Sequence, residues 1–325
     1  MLRILLLPSL LLAALMTCAQ KGSIVPAPVW KAGERRQVSI TEAIRFTMDS
    51  VNYNIIKSSS YTLEVLAAAK YDYVLGIRTG TTDLLVKEGE LQALLDSTKQ
   101  DSLKRFLQTW AEGAYKPLEG LQSRFTVTLA GEITAPVDPV GTVEALRPAL
   151  AKVVKNMGDA VAEFRGIAPA PLPSARVDYL SDSLYAVLVR SQVPELHRLL
   201  RVYGTTFPLT GSQKEKVTVK EVRSPLRYQY MDLPAMVEAG LDIVDAKKMT
   251  GRTITTYDTD ALFTAMTKDK WTTEAKPANL SLTEECVTGF DRNTTWPTSS
   301  TCETEFRCGA FRMHITTKTA YEVVR

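Results

Sequence analysis

The sequence predicts an α+β protein in which antiparallel sheets carry interspersed amphipathic helices, arranged as two loosely repeated halves. Three observations predict it. Short runs of branched and aromatic residues alternate with polar ones and follow each other across short turns. Between them lie stretches with apolar residues at spacings of three and four. A segment with Pro169, Pro171 and Pro173 then divides the chain into residues 20–166 and 175–325, with 167–174 as the linker.

After the lead Val25-Pro-Ala-Pro28, alternation marks Trp30 to Gly80 as strands, most evident in Tyr61–Leu66 and Tyr71–Ile77 and weaker in Arg35–Met48. Lys70-Tyr-Asp72 suits a turn. From Lys87 to Gln122, Leu91, Leu94, Leu95, Leu103, Phe106, Leu107 and Trp110 return at helical spacing. Arg124–Leu129 and Glu132–Ala135 then read as a hairpin about Ala130-Gly131.

The next helix puts Val143, Leu146, Leu150, Val153, Val154, Met157, Val161 and Phe164 on one face. Thr142 is its expected N-cap, Pro148 falls near its first turn, and Gly166 stops it. Past the linker, Leu184 to Tyr203 is helical with a break near Pro194. Lys216–Glu221, Arg227–Met231, Leu241–Val244 and Arg252–Tyr257 read as strands, Asp258–Met266 as a short capped helix, and Leu280–Val324 as strand again. Strands in adjacent runs joined by short turns favour antiparallel sheets with helices to one side.

The chain is 325 residues with 45% hydrophobic and 23% charged residues and a net charge of +3, which excludes a disordered, fibrous or multispanning chain. Residues 1–19 have the form of a secretory signal: Arg3 precedes the uncharged run Ile4–Met16, which is too short to span a bilayer. Thr17-Cys-Ala19 is a small-x-small cleavage site before Gln20. The alternative is a lipobox, Leu15-Met-Thr-Cys18, that would lipidate Cys18. Thr17 fits a lipobox poorly, so plain export is preferred. Either route predicts a periplasmic or extracellular protein, membrane-bound only if Cys18 is lipidated.

Removal of Cys18 leaves Cys286, Cys302 and Cys308, an odd number. Cys286 and Cys302 are equidistant from Thr294, so a hairpin centred there faces their sulfurs. Cys302 and Cys308, six apart on one strand, are separated by about 20 Å. A bridge from Cys286 to Cys308 needs a hairpin centred on Pro297, which stays open as the competing pairing.

No other motif fixes a reaction. His197, between Leu196 and Leu199, reads as a half-exposed helix residue with no positioned partner for base catalysis. His314 alternates with Met313 and Ile315 and points to the opposite face, toward solvent or a cross-strand pair. Glu284 and Glu285 face opposite sides of a strand, which makes them poor partners for glycoside hydrolysis, and Asp242 with Asp245 is the other acidic pair. Asp258-Thr-Asp260 lacks the later oxygen ligands of a calcium loop and suits helix capping. There is no Gly-x-Ser-x-Gly elbow, no zinc-ligand spacing and no phosphate loop, Thr79-Gly-Thr81 being too short. Arg35-Arg36 and Lys247-Lys248 read as solvated turns, so neither nucleic acid nor a cofactor is expected. Asn279-Leu-Ser281 and Asn293-Thr-Thr295 match the glycosylation acceptor pattern, and with this leader they read as turns.

Three short motifs carry a resemblance: Trp30-Lys-Ala-Gly-Glu34, Phe125-Thr-Val-Thr-Leu-Ala-Gly-Glu-Ile133, and Phe290-Asp-Arg-Asn-Thr-Thr-Trp-Pro297 before Thr-rich final strands. In layout the mature chain resembles a family of secreted Bacteroidetes-type proteins of unknown function. The resemblance implies an exported, β-rich protein with interspersed helices and supplies no catalytic or binding residues.

The function expected from these features is that of an exported, non-enzymatic protein binding another protein or an apolar ligand. The alternatives are an envelope hydrolase whose site is assembled from sequence-distant residues, and a structural or interaction protein.

Overall fold

The computed structural model describes residues 22–48, 51–86, 105–106, 108–109, 112–137, 139–182, 196–197, 199–223, 230–243, 247–268 and 275–324. The expected leader with Cys18, most of the Lys87–Gln122 helical stretch, residues 183–195 and Asp245 lie outside the described residues.

The described residues are mostly antiparallel sheet, 53% strand, with helices set between strands. β1 (Ser23–Ile24) is short and is followed by β2 (Arg35–Met48), β3 (Val51–Ala68) and β4 (Asp72–Val86). A 3-10 turn, Lys116–Leu118, leads to β5 (Gln122–Thr128), β6 (Ile133–Pro136) and α1 (Pro139–Phe164). Then come β7 (Phe207–Pro208), β8 (Ser212–Arg223), β9 (Tyr230–Ile243), β10 (Lys248–Tyr257), α2 (Thr259–Lys268), β11 (Ser281–Asp291), β12 (Pro297–Cys308) and β13 (Phe311–Val323).

Eleven strands form one sheet in the order β6-β5-β4-β3-β2-β13-β12-β11-β10-β9-β8, while β1 pairs with β7. The strands before and after the proline-rich segment thus form two consecutive runs that meet where β2 pairs with β13, from Val323↔Arg36 to Arg312↔Thr47. The halves also share a core, since Val38, Leu63, Leu75 and Phe125 pack in one cluster with Leu200, Phe207, Leu241 and Phe290.

The sheet is curled. β6 and β8 are ten steps apart, about 48 Å in a flat sheet at ~4.8 Å per step. Yet Lys220 Nζ on β8 lies 3.9 Å from Glu132 Oε1, immediately before β6. The two ends therefore bend toward each other, and one face of every central strand becomes an inner face. Neither end is inviting to another chain. β6 is four residues long and ends in Pro136, while β8 carries Lys214, Lys216 and Lys220 and a register shift between Val219 and Val222.

Several local expectations are revised. α1 begins at Pro139, so Thr142 is inside the helix and Pro148 sits in its interior, not its first turn. Its buried face is Leu146, Leu150 and Val153 against Ala114 and Leu118, whereas Val161 and Phe164 are exposed at the helix's far end. Gly166 does stop the helix: at φ +66° it allows Gly166 N–H to reach the Glu163 carbonyl and Ile167 N–H the Ala162 carbonyl, a Schellman closure. Leu241–Val244 is not a separate strand, because β9 runs unbroken from Tyr230 to Ile243, and it also takes in the end of the Arg227–Met231 stretch. Arg35 and Arg36 are in β2, not in a turn; Arg35 pairs with Glu64 at 2.7 Å and Arg36 is buried. Asp258 caps α2 as expected, its Oδ1 accepting from the N–H groups of Asp260 and Ala261 at 2.9 and 2.8 Å.

Candidate functional site

On β2 the inner face is Arg36, Val38, Ile40, Glu42, Ile44 and Phe46, and on β13 it is Met313, Ile315, Thr317, Thr319 and Tyr321, by alternation and register. At one end of the strands this face joins the cluster of Val38, Tyr321, Phe290 and Met249. At the other it joins Met313, Phe306, Leu282, Tyr257 and Leu233, with Leu262 and Met266 of α2 laid over them. Between the two apolar clusters runs a polar belt.

The belt is a set of rows across the sheet. One row runs Lys57, Glu42, Thr317, Cys302, Cys286 and Thr253, each opposite the next on successive strands β3, β2, β13, β12, β11 and β10. A second holds Thr255, Glu284 and Thr304, and a third Ser59, Ile40, Thr319, Ser300 and Thr288. Glu42 is 3% exposed, with Lys57 Nζ 3.7 Å from its Oε2. The hydroxyls of Thr288 and Ser300 lie 2.9 Å apart.

Cys286 and Cys302 are neighbours in the first row, bonded at 2.09 Å with Cα atoms 4.1 Å apart. That short Cα distance is characteristic of a directly opposed antiparallel pair without backbone hydrogen bonds between the two residues. Cys308 is the free cysteine among the described residues, packed at the α2 end of β12; burial raises its thiol pKa and keeps it protonated.

The belt is engaged from inside by Arg201. Around it, Leu196, Leu199, Leu200, Val202, Tyr203 and Phe207 are apolar and buried and lie along the seam between the sheet's two ends. Arg201 is the charged residue among them that reaches the belt. Its guanidinium donates to Glu284 Oε1 and, at 2.9 Å, to Thr255 Oγ1. Burial works against its charge, but Tyr257 and Glu284 outweigh this and hold the pKa above its ordinary value. Two glycines let this segment approach the β5–β6 turn. A Cβ on Gly131 would meet the Leu200 carbonyl oxygen at 2.4 Å, and one on Gly204 the Ala130 carbonyl oxygen at 2.9 Å.

An aromatic plug closes the same end. Trp30 stacks on Trp296 with centroids 4.3 Å apart and planes 18° apart, and also touches Tyr73 and Tyr203 at 5.1 and 5.4 Å. Three of the four polar edges are satisfied: Trp296 Nε1–H donates to Glu34 Oε2 at 2.6 Å, Tyr73 O–H to the Pro28 carbonyl at 2.9 Å, and Tyr203 O–H to the Thr295 carbonyl at 2.6 Å, while Trp30 Nε1 is buried with no hydrogen-bond partner among the described residues. Burial raises the Tyr203 pKa well above its usual value, with Tyr321 adding, so it remains a neutral donor. Arg36 lies over the Trp296 ring at 4.9 Å.

Thr295 takes φ +57°, the left-handed region that usually favours glycine. Neighbours hold it there. Its N–H reaches the Asp291 carbonyl at 2.7 Å, and its Oγ1 accepts from Val29 N–H at 2.9 Å. The motifs at 30–34 and 290–297 therefore meet in this plug, and the 125–133 motif abuts it through Gly131 and Leu200.

The other residues singled out from the sequence lie apart from the belt. His314 faces outward, with Nε2 3.9 Å from Glu303 Oε2. His197 is half-buried near the seam, where burial first and Lys220 second lower its pKa, against smaller opposing effects of Glu132 and Asp232. Glu284 turns inward to Arg201 while Glu285 pairs outward with Arg252 at 2.7 Å. Asp242 is exposed, and Gly80 lies in β4, where a Cβ would strike Ser60. Asn279 closes the β12–β13 turn through Gly309. Among the described residues no group of three or more His, Cys, Asp or Glu could hold a metal ion.

Glu42, Lys57 and Arg201 carry no motif in the sequence, and Arg36 reads there as part of a solvated turn. For Glu42, Lys57 and Arg36 a signal existed: a charged residue in the apolar phase of a strand, as in Val38-x-Ile40-x-Glu42-x-Ile44.

No protein-family model matches the chain, and no curated protein does. Among solved structures, one described as lipid-protein interactions in lipovitellin is similar with a TM-score of 0.46 at 11% identity, covering 90% of this chain and 25% of that one. The chain thus spans about a quarter of that protein's length. A porin-like protein from Bacteroides uniformis has a TM-score of 0.16 at 9% identity, covering 89% of this chain and 96% of that one. At these values neither says what this chain binds.

Among the described residues no helix is long and apolar enough to cross a membrane, which says nothing of a β-barrel. The disulfide is consistent with an oxidising compartment.

Proposed function

We propose that this is an exported, non-enzymatic binding or carrier protein that takes an apolar or amphipathic ligand against the inner face of the curled sheet. The supporting observation is the inner face itself: two apolar clusters separated by a belt of hydroxyls and paired charges, with half-buried Ile44, Phe46, Phe311 and Ile315 at the α2 end. Such a surface offers apolar area plus a few placed polar groups, the usual make-up of a small-molecule site. The outward face carries Arg45, Thr47, Glu303, Glu305, Arg307 and Lys318, which suits water and not lipid tails. Export is supported by the leader, by the disulfide and by the resemblance to secreted Bacteroidetes-type proteins.

The hydrolase alternative is less well supported. The inner carboxylates Glu42 and Glu284 each face a cation, an arrangement that suits structural pairing more than proton transfer.

The test is mass spectrometry of an organic extract of protein purified from its native envelope, followed by titration of the delipidated protein with a long-chain fatty acid. A copurifying small molecule, or saturable binding weakened by Ile44→Asp or Ile315→Asp, is the expected result. An empty extract together with no saturable binding overturns the reading.

A further inference from the structure

The proline-rich segment between α1 and the helical residues 174–182 is absorbed by neither the sheet nor its inner face. Residues 163–176 are all exposed, and Phe164, Ile167 and Leu172 are 50%, 58% and 43% exposed. Apolar side chains gathered on one short surface segment are unusual for a mere spacer.

Its conformation follows from its sequence. Pro169, Pro171 and Pro173 have φ fixed near −65°, and Ala168, Ala170 and Leu172, each preceding a proline, are driven from the helical region into extended backbone. The segment 168–172 is thereby biased to polyproline II, a helix of three residues per turn that pairs Pro169 with Leu172 along one edge and Ile167 with Ala170 along another.

Both ends are fastened. The first is fixed by the Gly166 closure of α1. The second enters a helix whose Arg176 and Val177 N–H groups bond the Pro173 carbonyl at 2.9 and 3.1 Å, and Arg147 of α1 holds that helix through Asp182 at 3.2 Å. The segment loses little further freedom on being bound.

We infer that Ile167–Pro173 is a docking strap for a partner protein presenting an aromatic-lined groove for a polyproline II chain, with an acidic rim. Stacked rings recognise the proline edges and their apolar neighbours. Exposed Arg165 and Arg176 are the charged residues nearest the strap on its two sides, inside exposed Glu163 and Asp178, and set the sign of the rim. A second copy of this chain is a poor occupant: Trp30, Tyr73, Tyr203 and Trp296 are buried, and the exposed described tyrosines Tyr71 and Tyr179 carry Lys70 and Arg176 over their rings and do not form one groove.

The experiment places a photo-crosslinking residue at Leu172, or at exposed Val287 as control, in the full chain expressed in its own cells; the adduct is identified by mass spectrometry and the purified partner titrated with the full chain. The expected result is one heterologous adduct at 172 and none at 287. Affinity should fall about tenfold for Leu172→Asp, and again for Pro169→Ala, Pro171→Ala and Pro173→Ala combined, with thermal stability unchanged. An adduct with a second copy, equal adducts at both positions, no adduct at 172, or an affinity indifferent to the proline substitutions overturns the inference. Small-molecule binding on the inner face is read separately and does not bear on this result.

Discussion

Trp30 and Trp296 stack face to face although they come from opposite ends of the sequence, one just before the second strand and the other at the turn between β11 and β12. Their contact fastens the N-terminal arm to the C-terminal run, and Glu34 and Arg36 extend it to either side of the Trp296 ring.

Removal of a ring from a fully packed plug leaves a cavity and exposes the partners of its N–H. Trp296→Ala should cost about 3–5 kcal/mol in denaturant unfolding, and Trp296→Phe less. A loss under about 1 kcal/mol for the alanine variant would show that the plug is not part of the cooperative core.

The Cys286–Cys302 bridge closes a loop of sequence separation 16. Cys286→Ala with Cys302→Ala, or reduction, should lower stability by about 3 kcal/mol through the unfolded chain. Cys308→Ala should change it little and leave the nonreducing peptide map intact; a scrambled map in that variant would contradict the assigned pairing.

Glu284→Gln leaves Arg201 charged and half-buried with a weaker partner. It should destabilise by about 2 kcal/mol, a loss partly recovered by adding Arg201→Met. The exposed pair Lys220–Glu132 should contribute no more than about 1 kcal/mol, and that should vanish in high salt.

His197 titrates below its ordinary value of 6.5 in the folded protein. Between that lowered pKa and 6.5 the unfolded chain holds the proton and the native chain does not, so stability is full above 6.5 and is lost as pH falls through this window. His197→Gln should flatten the slope of unfolding free energy against pH there. An unchanged slope would place the acid sensitivity elsewhere.

Gly131→Ala must put a methyl group against the Leu200 carbonyl while holding φ at +74°. A cost of about 2 kcal/mol or more is expected in thermal unfolding, against a small effect for Gly158→Ala in α1, where nothing lies within 4 Å.

Much of the fold was legible because local rules govern it. Two-residue alternation marked most of the central strands, Gly166 marked the end of α1, and symmetry about Thr294 marked which cysteines oppose each other. What was hidden depends on contacts between distant residues. Leu241–Val244 looked like a separate strand because Pro234 and Gly240 interrupt the pattern, yet pairing on both sides by β8 and β10 carries β9 through them. Arg36 looked solvated because its neighbour is Arg35; only the fold brings Trp296 beneath its guanidinium. The inner belt was missed because Glu42, Lys57 and Glu284 are far apart in sequence and meet in rows only when the register is known.

The pairing of β2 with β13 sets an order of events. β2 lies near the start of the described chain and β13 near its end, and each is the other's neighbour in the middle of the sheet. Until β13 is in place, β2 lacks one neighbour, Trp30 lacks its stacking partner and the two runs cannot join. Contacts this distant in sequence close slowly. A chain synthesised from its N-terminus therefore holds its early strands with exposed edges until the final hairpin arrives, and that interval is when it is most open to pairing with other chains.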